Sequence, residues 1–236
     1  SKCWDKPRGT DGSQNPGKQF VVCIQNHDQV GNRAKGDRLS TLVEFPYLKA
    51  AAGLLLFSAY VPLLFMGEEY GEQRPFLFFT DYQDPGLQKA VSEGRREEFK
   101  NFTWEDVPDP QAEETFYSSK LTPKRDWSDK NYMLFCFYKD LIRMRKNHPV
   151  LKTLDKFNLD VSVDSENQVV KIARWNEQKM LVALVNLGDA DVELDDYPGT
   201  EMINSEWSRY GGSEETLSGT LRKGQFVIFE TGLGVP

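Results

Sequence analysis

Histidine and cysteine are scarce in this sequence, and the scarcity removes whole classes of chemistry. His27 and His148 are the only histidines, so a histidine-rich metal centre is excluded. The three cysteines, Cys3, Cys23 and Cys136, are far apart, odd in number and form no C-x-x-C pair. They fit reduced core thiols, not a disulfide frame or a zinc site. No run of lysine or arginine stands out against a formal net charge of -7, which argues against a nucleic-acid partner held by phosphate contacts. The longest apolar stretch, near Ala50 to Met66, is interrupted by Gly53, Ser58, Tyr60 and Pro62, so it is not a membrane span. No secretory leader opens the chain, because Ser1-Lys2-Cys3-Trp4-Asp5 runs into a loop rich in Gly, Pro and Asn. The expected setting is the cytoplasm, and the absence of an initiating Met suggests a start inside something larger.

What is present is enough for a substantial core: 236 residues, 39% of them hydrophobic. After the loop of residues 1 to 19, the run Phe20-Val21-Val22-Cys23-Ile24 has the continuous apolar character of a parallel strand buried on both faces. Residues 46 to 60, PYLKAAAGLLLFSAY, predict a helix with Pro46 in its first turn. A second buried strand, Val61-Pro62-Leu63-Leu64-Phe65-Met66, then ends in Gly67-Glu68-Glu69-Tyr70-Gly71. Strand, polar loop, helix, strand and polar loop make a βαβ unit. A charged surface helix is predicted over Leu87 to Phe99, an irregular region over residues 101 to 127, and an amphipathic helix from Asp129 to Asn147. Beyond about residue 154 the segments VVKIARWN, KMLVALVNLG, DVELDDYPG and GQFVIFETG alternate with turn residues, as in a small antiparallel sandwich. Two parts are therefore expected, an α/β part over residues 1–153 and a β-sandwich over 154–236.

The chemistry-bearing feature is the abrupt polar end of the first strand, Gln25-Asn26-His27-Asp28-Gln29. In βα-barrels and open α/β sheets the reacting groups sit at the carboxyl ends of strands. A carboxylate that accepts two hydroxyl hydrogen bonds, beside an imidazole that donates while neutral, suits a ligand with many hydroxyls. The same residues could also do no more than cap and fix the turn, and spacing alone leaves both roles open.

The segments QNHDQVGNRAKGDRL and PLLFMGEEYGEQRPFLFFTDYQDP together resemble the α-amylase superfamily, glycoside hydrolase family 13. His27-Asp28 match its fourth short motif, at the end of barrel strand seven. Gly67-Glu68-Glu69-Tyr70-Gly71 is similar to the segment after strand eight, and DLIRMRKNHPVL resembles the helix that closes such barrels. The resemblance implies the C-terminal part of a (β/α)8 TIM barrel, about strands seven and eight with their helices, followed by a small antiparallel β-sandwich. It implies that Asp28 is the third catalytic carboxylate, a transition-state stabiliser, and that His27 bonds the same sugar. Asn26, Gln29, Arg33, Glu69 and Phe79 are further candidate substrate contacts; Phe76, Phe78, Phe79 and Tyr82 form either a sugar-stacking platform or core. Glu68 and Glu69 are expected mainly to shape their loop, and at most one of them to face the pocket with Asp28. Asp37 and Arg38 are expected to structure the first loop, Trp175 and Trp207 to pack in the core, and the basic face of RKNH to be solvated.

The implied activity is retaining hydrolysis of an α-1,4 bond, with maltooligosyl-trehalose as substrate and trehalose as product. The alternatives are an α-1,4-glucan branching enzyme and a non-catalytic α-glucan-binding module. Retaining glycosidases need a carboxylate nucleophile and a carboxylic acid about 5–5.5 Å apart. The superfamily takes these from strands four and five, and no matching segment occurs in this sequence. The chain is therefore expected to be inactive alone, with no cofactor and no metal implied. Its expected partners are an α-glucan and the missing N-terminal part of the barrel, with self-association through exposed edges as a consequence.

Overall fold

The computed structural model describes residues 9–100, 107–194 and 199–232. The opening segment with Cys3, part of the irregular region and part of the segment DVELDDYPG lie outside these residues. Strand β1 (Val21–Val22) leads to helices α1 (His27–Gly31), α2 (Leu39–Leu42) and α3 (Phe45–Phe57), then to β2 (Val61–Pro62). β1 and β2 pair in parallel, Val21 opposite Val61 and Val22 opposite Pro62, so the βαβ unit is formed. Helices α4 (Pro85–Phe99), α5 (Glu113–Ser118), α6 (Asp129–Asn147) and α7 (Pro149–Lys152) follow. Helix α6 starts where Ser128 and Asn131 close a reciprocal capping box. α5 falls within the region expected to be irregular, where two glutamates in the first turn favour a helix N-terminus.

The remaining strands are β3 (Leu159–Asp164), β4 (Val169–Trp175), β5 (Met180–Asn186), β6 (Val192–Glu193), β7 (Thr200–Asn204), β8 (Thr220–Leu221) and β9 (Phe226–Thr231). They make a five-stranded antiparallel sheet of order β3-β4-β5-β9-β7 and a small β6-β8 pair. β3, β7 and β8 were not expected individually. β8 is only two residues long, and β7 carries an irregularity between Glu201 and Ile203.

The sheet is a sandwich on one face only. Leu221 from β8, with Val192, Leu194 and Leu217, covers Val182, Leu184, Val227 and Phe229. The opposite face, with Leu181, Ala183, Val185, Phe226 and Ile228, packs on Phe57 of α3 and Phe137 and Leu141 of α6. β5 is accordingly buried at every position. Gly53 of α3 lies against Phe226, and a β-carbon there would come within 2.4 Å of the ring. Glycine lowers helix propensity by about 1 kcal/mol relative to alanine, and here it permits the close approach of helix to sheet.

Polar groups tie the same contact. Lys49 of α3, 1% exposed, donates to the Glu206 carboxylate at 2.8 Å and to the Ser205 and Tyr210 carbonyls at 2.6 and 3.3 Å. Burial pulls its ammonium below the ordinary lysine range, against the hydrogen bond and charge of Glu206. Arg174 of β4 donates to the carbonyls of Phe57, Ser58, Val150 and Thr153, and burial pushes it down to about 10. Arg145 of α6 donates to the carbonyls of Leu56, Ser58 and Tyr60. Two cations thus satisfy the carbonyl groups left free at the C-terminal end of α3.

Three expectations need correction. Arg145 is half-buried and not part of a solvated basic face, because those carbonyls replace its water. Cys136 is exposed on the outer side of α6 and not a core thiol, since the buried stripe of that helix is Leu134, Phe137, Tyr138 and Leu141. The two parallel strands are shorter than expected and not covered on both faces: Val21 is 65% exposed, and Leu63 and Met66 each 45%. Among the described residues β1 has only β2 beside it, so these apolar side chains have no second layer to enter. Among the described residues no helix is long and apolar enough to cross a membrane.

Candidate active site

β1 stops after two residues, and the chain bends at Ile24 before it reaches Asn26. Asn26 is the N-cap of α1: its backbone is extended and its side-chain oxygen accepts from the Gln29 amide at 2.9 Å. The cap turns the polar end of the strand into one short helical turn and presents His27 and Asp28 together. Their side chains are 72% and 74% exposed, with Nε2 of His27 3.3 Å from Oδ1 of Asp28. Both groups are thus open to a ligand, and among the described residues their one polar contact is with each other. Gln29 is exposed beside them, its backbone used by the cap.

The loop that follows is locked to the loop after β2. Arg33 pairs with Asp37 at 3.2 Å. Arg38 is buried, donates to the carbonyls of Arg74 and Met66, each at 2.8 Å, and lies 4.9 Å from the centre of the Phe65 ring. Burial lowers its affinity for the proton, opposed by Glu72, Tyr70, Glu69 and Glu68. The Phe76 amide donates to the Gly36 carbonyl at 2.9 Å. Gly36 is left-handed, φ +57°, and a β-carbon there would meet Phe76 O at 2.5 Å, so no other residue fits this crossing. From the other side Arg95 of α4 donates to the carbonyls of Gly31 and Arg33 at 2.7 and 3.1 Å, holding the end of α1.

Three acids of the second loop take different roles. Glu72 is a structural hub that accepts from Tyr70, Arg74 and Thr122. Burial alone would raise its carboxyl, and these hydrogen bonds hold it below the ordinary range. Glu69 accepts from the Gly67 amide at 3.0 Å, so one of its oxygens shapes its own turn. Glu68 is 5% exposed and accepts from the Tyr138 hydroxyl at 3.4 Å. Burial is the main cause that pushes its carboxyl up to about 7. Glu72 did not stand out in the sequence; the only signal was a third acid in MGEEYGE.

The raised carboxyl of Glu68 has a consequence for stability. The native state holds its proton up to about pH 7, whereas the unfolded carboxyl releases it near 4.5. Between these values the native state binds more protons, so stability falls as pH rises, by about 3 kcal/mol in total. Glu68→Gln is expected to remove this loss and to leave the variant more stable than the parent at pH 8. Urea melts at pH 5 and pH 8 check it, and an unchanged pH dependence would refute it.

An aromatic wall continues from the second loop. Phe76 lies edge-on to Phe79 at 5.9 Å, Phe79 to Phe116 at 5.3 Å, and Phe116 is 5.5 Å from Tyr117. Phe79, Asp81, Gln111, Glu113, Phe116 and Tyr117 line a cavity of about 620 Å³. Phe116 and Tyr117 were not among the expected contacts, because α5 that carries them was not foreseen. Phe78 instead packs against Arg95 at 5.1 Å. Trp207 stacks on Tyr210 at 6.0 Å and Trp175 joins the second core cluster. Among the described residues no group of three or more His, Cys, Asp or Glu gathers into a metal site.

No protein-family model matches the chain. It is similar to a malto-oligosyltrehalose trehalohydrolase of Brevibacterium helvolum, 44% identical over 195 residues that make up 79% of this chain and 31% of the relative. It is also similar to one of Saccharolobus solfataricus, 47% identical over 143 residues, 61% of this chain and 24% of the relative. The chain thus spans about a third of the length of the curated relatives it matches, or less. Among solved structures, a Salmonella typhimurium protein assigned as an α-amylase matches with a TM-score of 0.79 and 38% identity. That match covers 95% of this chain and 37% of the other. An α-amylase of H. orenii, 18% identical with a TM-score of 0.53, over 88% of this chain and 39% of that one, shows the shared fold alone.

Proposed function

The chain belongs to the malto-oligosyltrehalose trehalohydrolase family of the α-amylase superfamily, and on that premise we propose that it carries the transition-state carboxylate of a trehalose-releasing glycosidase. The reaction is retaining hydrolysis of the α-1,4 bond beside a terminal trehalose unit. The observation that carries the proposal is the Asn26-capped turn, which presents Asp28 and His27 side by side and open at the carboxyl end of a parallel strand. Asp28 accepts hydroxyl hydrogen bonds from the sugar at the cleaved bond, and its charge favours the oxocarbenium-like ring. His27 donates to the same sugar. Hydrogen bonds of this kind strengthen at the transition state and supply several kcal/mol.

The remaining contacts are graded by what their groups have left to give. Gln29 keeps its whole side chain for substrate. Asn26 keeps its amide, which otherwise lies 3.7 Å from the Cys23 sulfur. Glu69 has one oxygen outside its turn, and Arg33 must share its guanidinium with Asp37. Phe79, with Phe116 and Tyr117, offers rings on which the apolar faces of glucose units pack. The nucleophile and general acid come from barrel segments outside these 236 residues. The exposed edge of β1, with Leu63, Leu64 and Met66, takes up those segments.

A glucan-binding module made of residues 154–236 is disfavoured by burial. Its sheet shares one core with α3 and α6, so isolating it would strip Leu181, Val185, Phe226 and Ile228 of their cover. The test is free trehalose released from maltooligosyl-trehalose by this chain and by an upstream-extended one. Release by the extended chain alone is expected. Transfer of the glucan to another chain without trehalose would replace the proposal by a branching activity, and release by residues 1–236 would show the divided site to be wrong.

A further inference from the structure

We propose that the cavity between the loop after β2 and helix α5 is a subsite for one glucopyranose unit, with Thr80 and Gln111 as the residues that read its hydroxyls. The inference rests on the reading of the chain as part of an α-glucan-cleaving enzyme and adds a subsite built wholly from this chain. Two segments close the cavity. The Thr80 amide donates to the Pro110 carbonyl at 2.8 Å, and the Tyr82 amide donates to Oε1 of Gln111 at 3.0 Å. Asp109 fixes the second segment, accepting from the Gln111 amide at 3.0 Å and from the Ser92 hydroxyl of α4 at 2.6 Å. Because Oε1 accepts from Tyr82, the Gln111 side-chain amide cannot be turned over, and its Nε2 is left as a fixed donor.

Among the described residues, that Nε2 and the Oγ1 of Thr80 are buried and have no hydrogen-bond partner. A buried polar atom left unpaired bears the full loss of its hydration. Two of them, on residues that line one cavity, mark where a polar ligand group belongs. The other walls state the class of that ligand. Phe79, Phe116 and Tyr117 supply rings for the apolar faces of a pyranose, and the last two are 42% and 47% exposed. Lys120 lies over these two, 4.9 and 4.3 Å from their centres, without lining the cavity. Asp81 and Glu113 add carboxylate acceptors, and among the described residues no lysine or arginine lines the cavity. An anionic ligand would be repelled there, whereas a neutral polyol finds both donors and acceptors. The cavity also packs on into the turn that carries Asp28. Phe76 stands 3.7 Å from where a β-carbon of Gly31 would lie, and Phe79 and Phe116 follow it edge to edge.

The test uses the 236-residue chain and needs no catalysis, since every lining residue is its own. Maltotriose and trehalose are titrated separately, while nuclear magnetic resonance follows the Gln111 side-chain amide and the Tyr82 backbone amide. A saturable shift of both signals is expected. A response to maltotriose alone gives the subsite to the glucan, and a response to trehalose alone gives it to the released disaccharide; either one, or both, supports the subsite. Silence of both amides toward both sugars, or shifts confined to residues 26–29, overturns it. Thr80→Val keeps the shape and removes only the hydroxyl. It is expected to raise Kd about fivefold, with the melting temperature unchanged or higher, because that hydroxyl has no protein partner to lose. An unchanged Kd, or a lower melting temperature in its place, overturns the assignment of Thr80. Should the variant not fold, the titration of the parent alone decides. Failure of the underlying reading has a separate signature: Asp28→Asn in the upstream-extended enzyme would then retain activity, whatever Gln111 does.

Discussion

Asp28→Asn in an upstream-extended chain is expected to lower kcat/KM for trehalose release by about 10³-fold, the equivalent of about 4 kcal/mol of transition-state stabilisation. The amide keeps the shape and loses the charge and the strong acceptance of two hydroxyl protons. The expected loss lies in kcat more than in KM, because the interaction strengthens as the ring flattens. Stability should not change, since the side chain is exposed and, among the described residues, its one polar contact is with His27. Steady-state kinetics beside a melting curve give both answers. A loss below tenfold would remove Asp28 from the chemistry, and an equal drop in melting temperature would make its role structural.

The second large effect concerns the contact between helix and sheet. Lys49→Met is expected to destabilise the chain by about 3–5 kcal/mol, because it leaves the Glu206 carboxylate without its partner where water is scarce. For a protein of this size that corresponds to a melting temperature lower by about 10 °C. The double variant Lys49→Met, Glu206→Leu should recover most of the loss, because an apolar pair of similar volume avoids desolvating two charges. Urea unfolding of the single and double variants measures both numbers. A double variant as unstable as the single one would mean that the bonds from Lys49 to Ser205 and Tyr210, and not the ion pair, hold the contact.

The sequence by itself determined the elements whose causes are local. Helix α6 runs over Asp129 to Asn147 as its apolar spacing predicts, because Ser128 caps one end and His148-Pro149 closes the other. The βαβ order followed from two apolar runs around an Ala/Leu helix that begins at a proline, and the parallel register of β1 and β2 agrees. The position of His27-Asp28 after the first strand was legible for the same reason: the apolar run turns polar within one residue, although β1 itself ends earlier, at Val22, and is exposed at Val21.

Tertiary structure decided what depends on groups distant in sequence. Glu68 and Glu69 are the same residue type in adjacent positions, and only the fold makes one a buried acid bonded by Tyr138 and the other a brace for its own turn. Arg38 was expected only to structure its own loop, Arg145 to be solvated, and Arg174 carried no signal, yet each is committed to backbone carbonyls contributed by other segments. The sheet was expected as a part of its own, and the fold gives one of its faces to α3 and α6 through Gly53 and Phe226. Periodicity records which face of an element is apolar. It does not record which neighbour covers that face, because burial and desolvation are set by the whole packed arrangement.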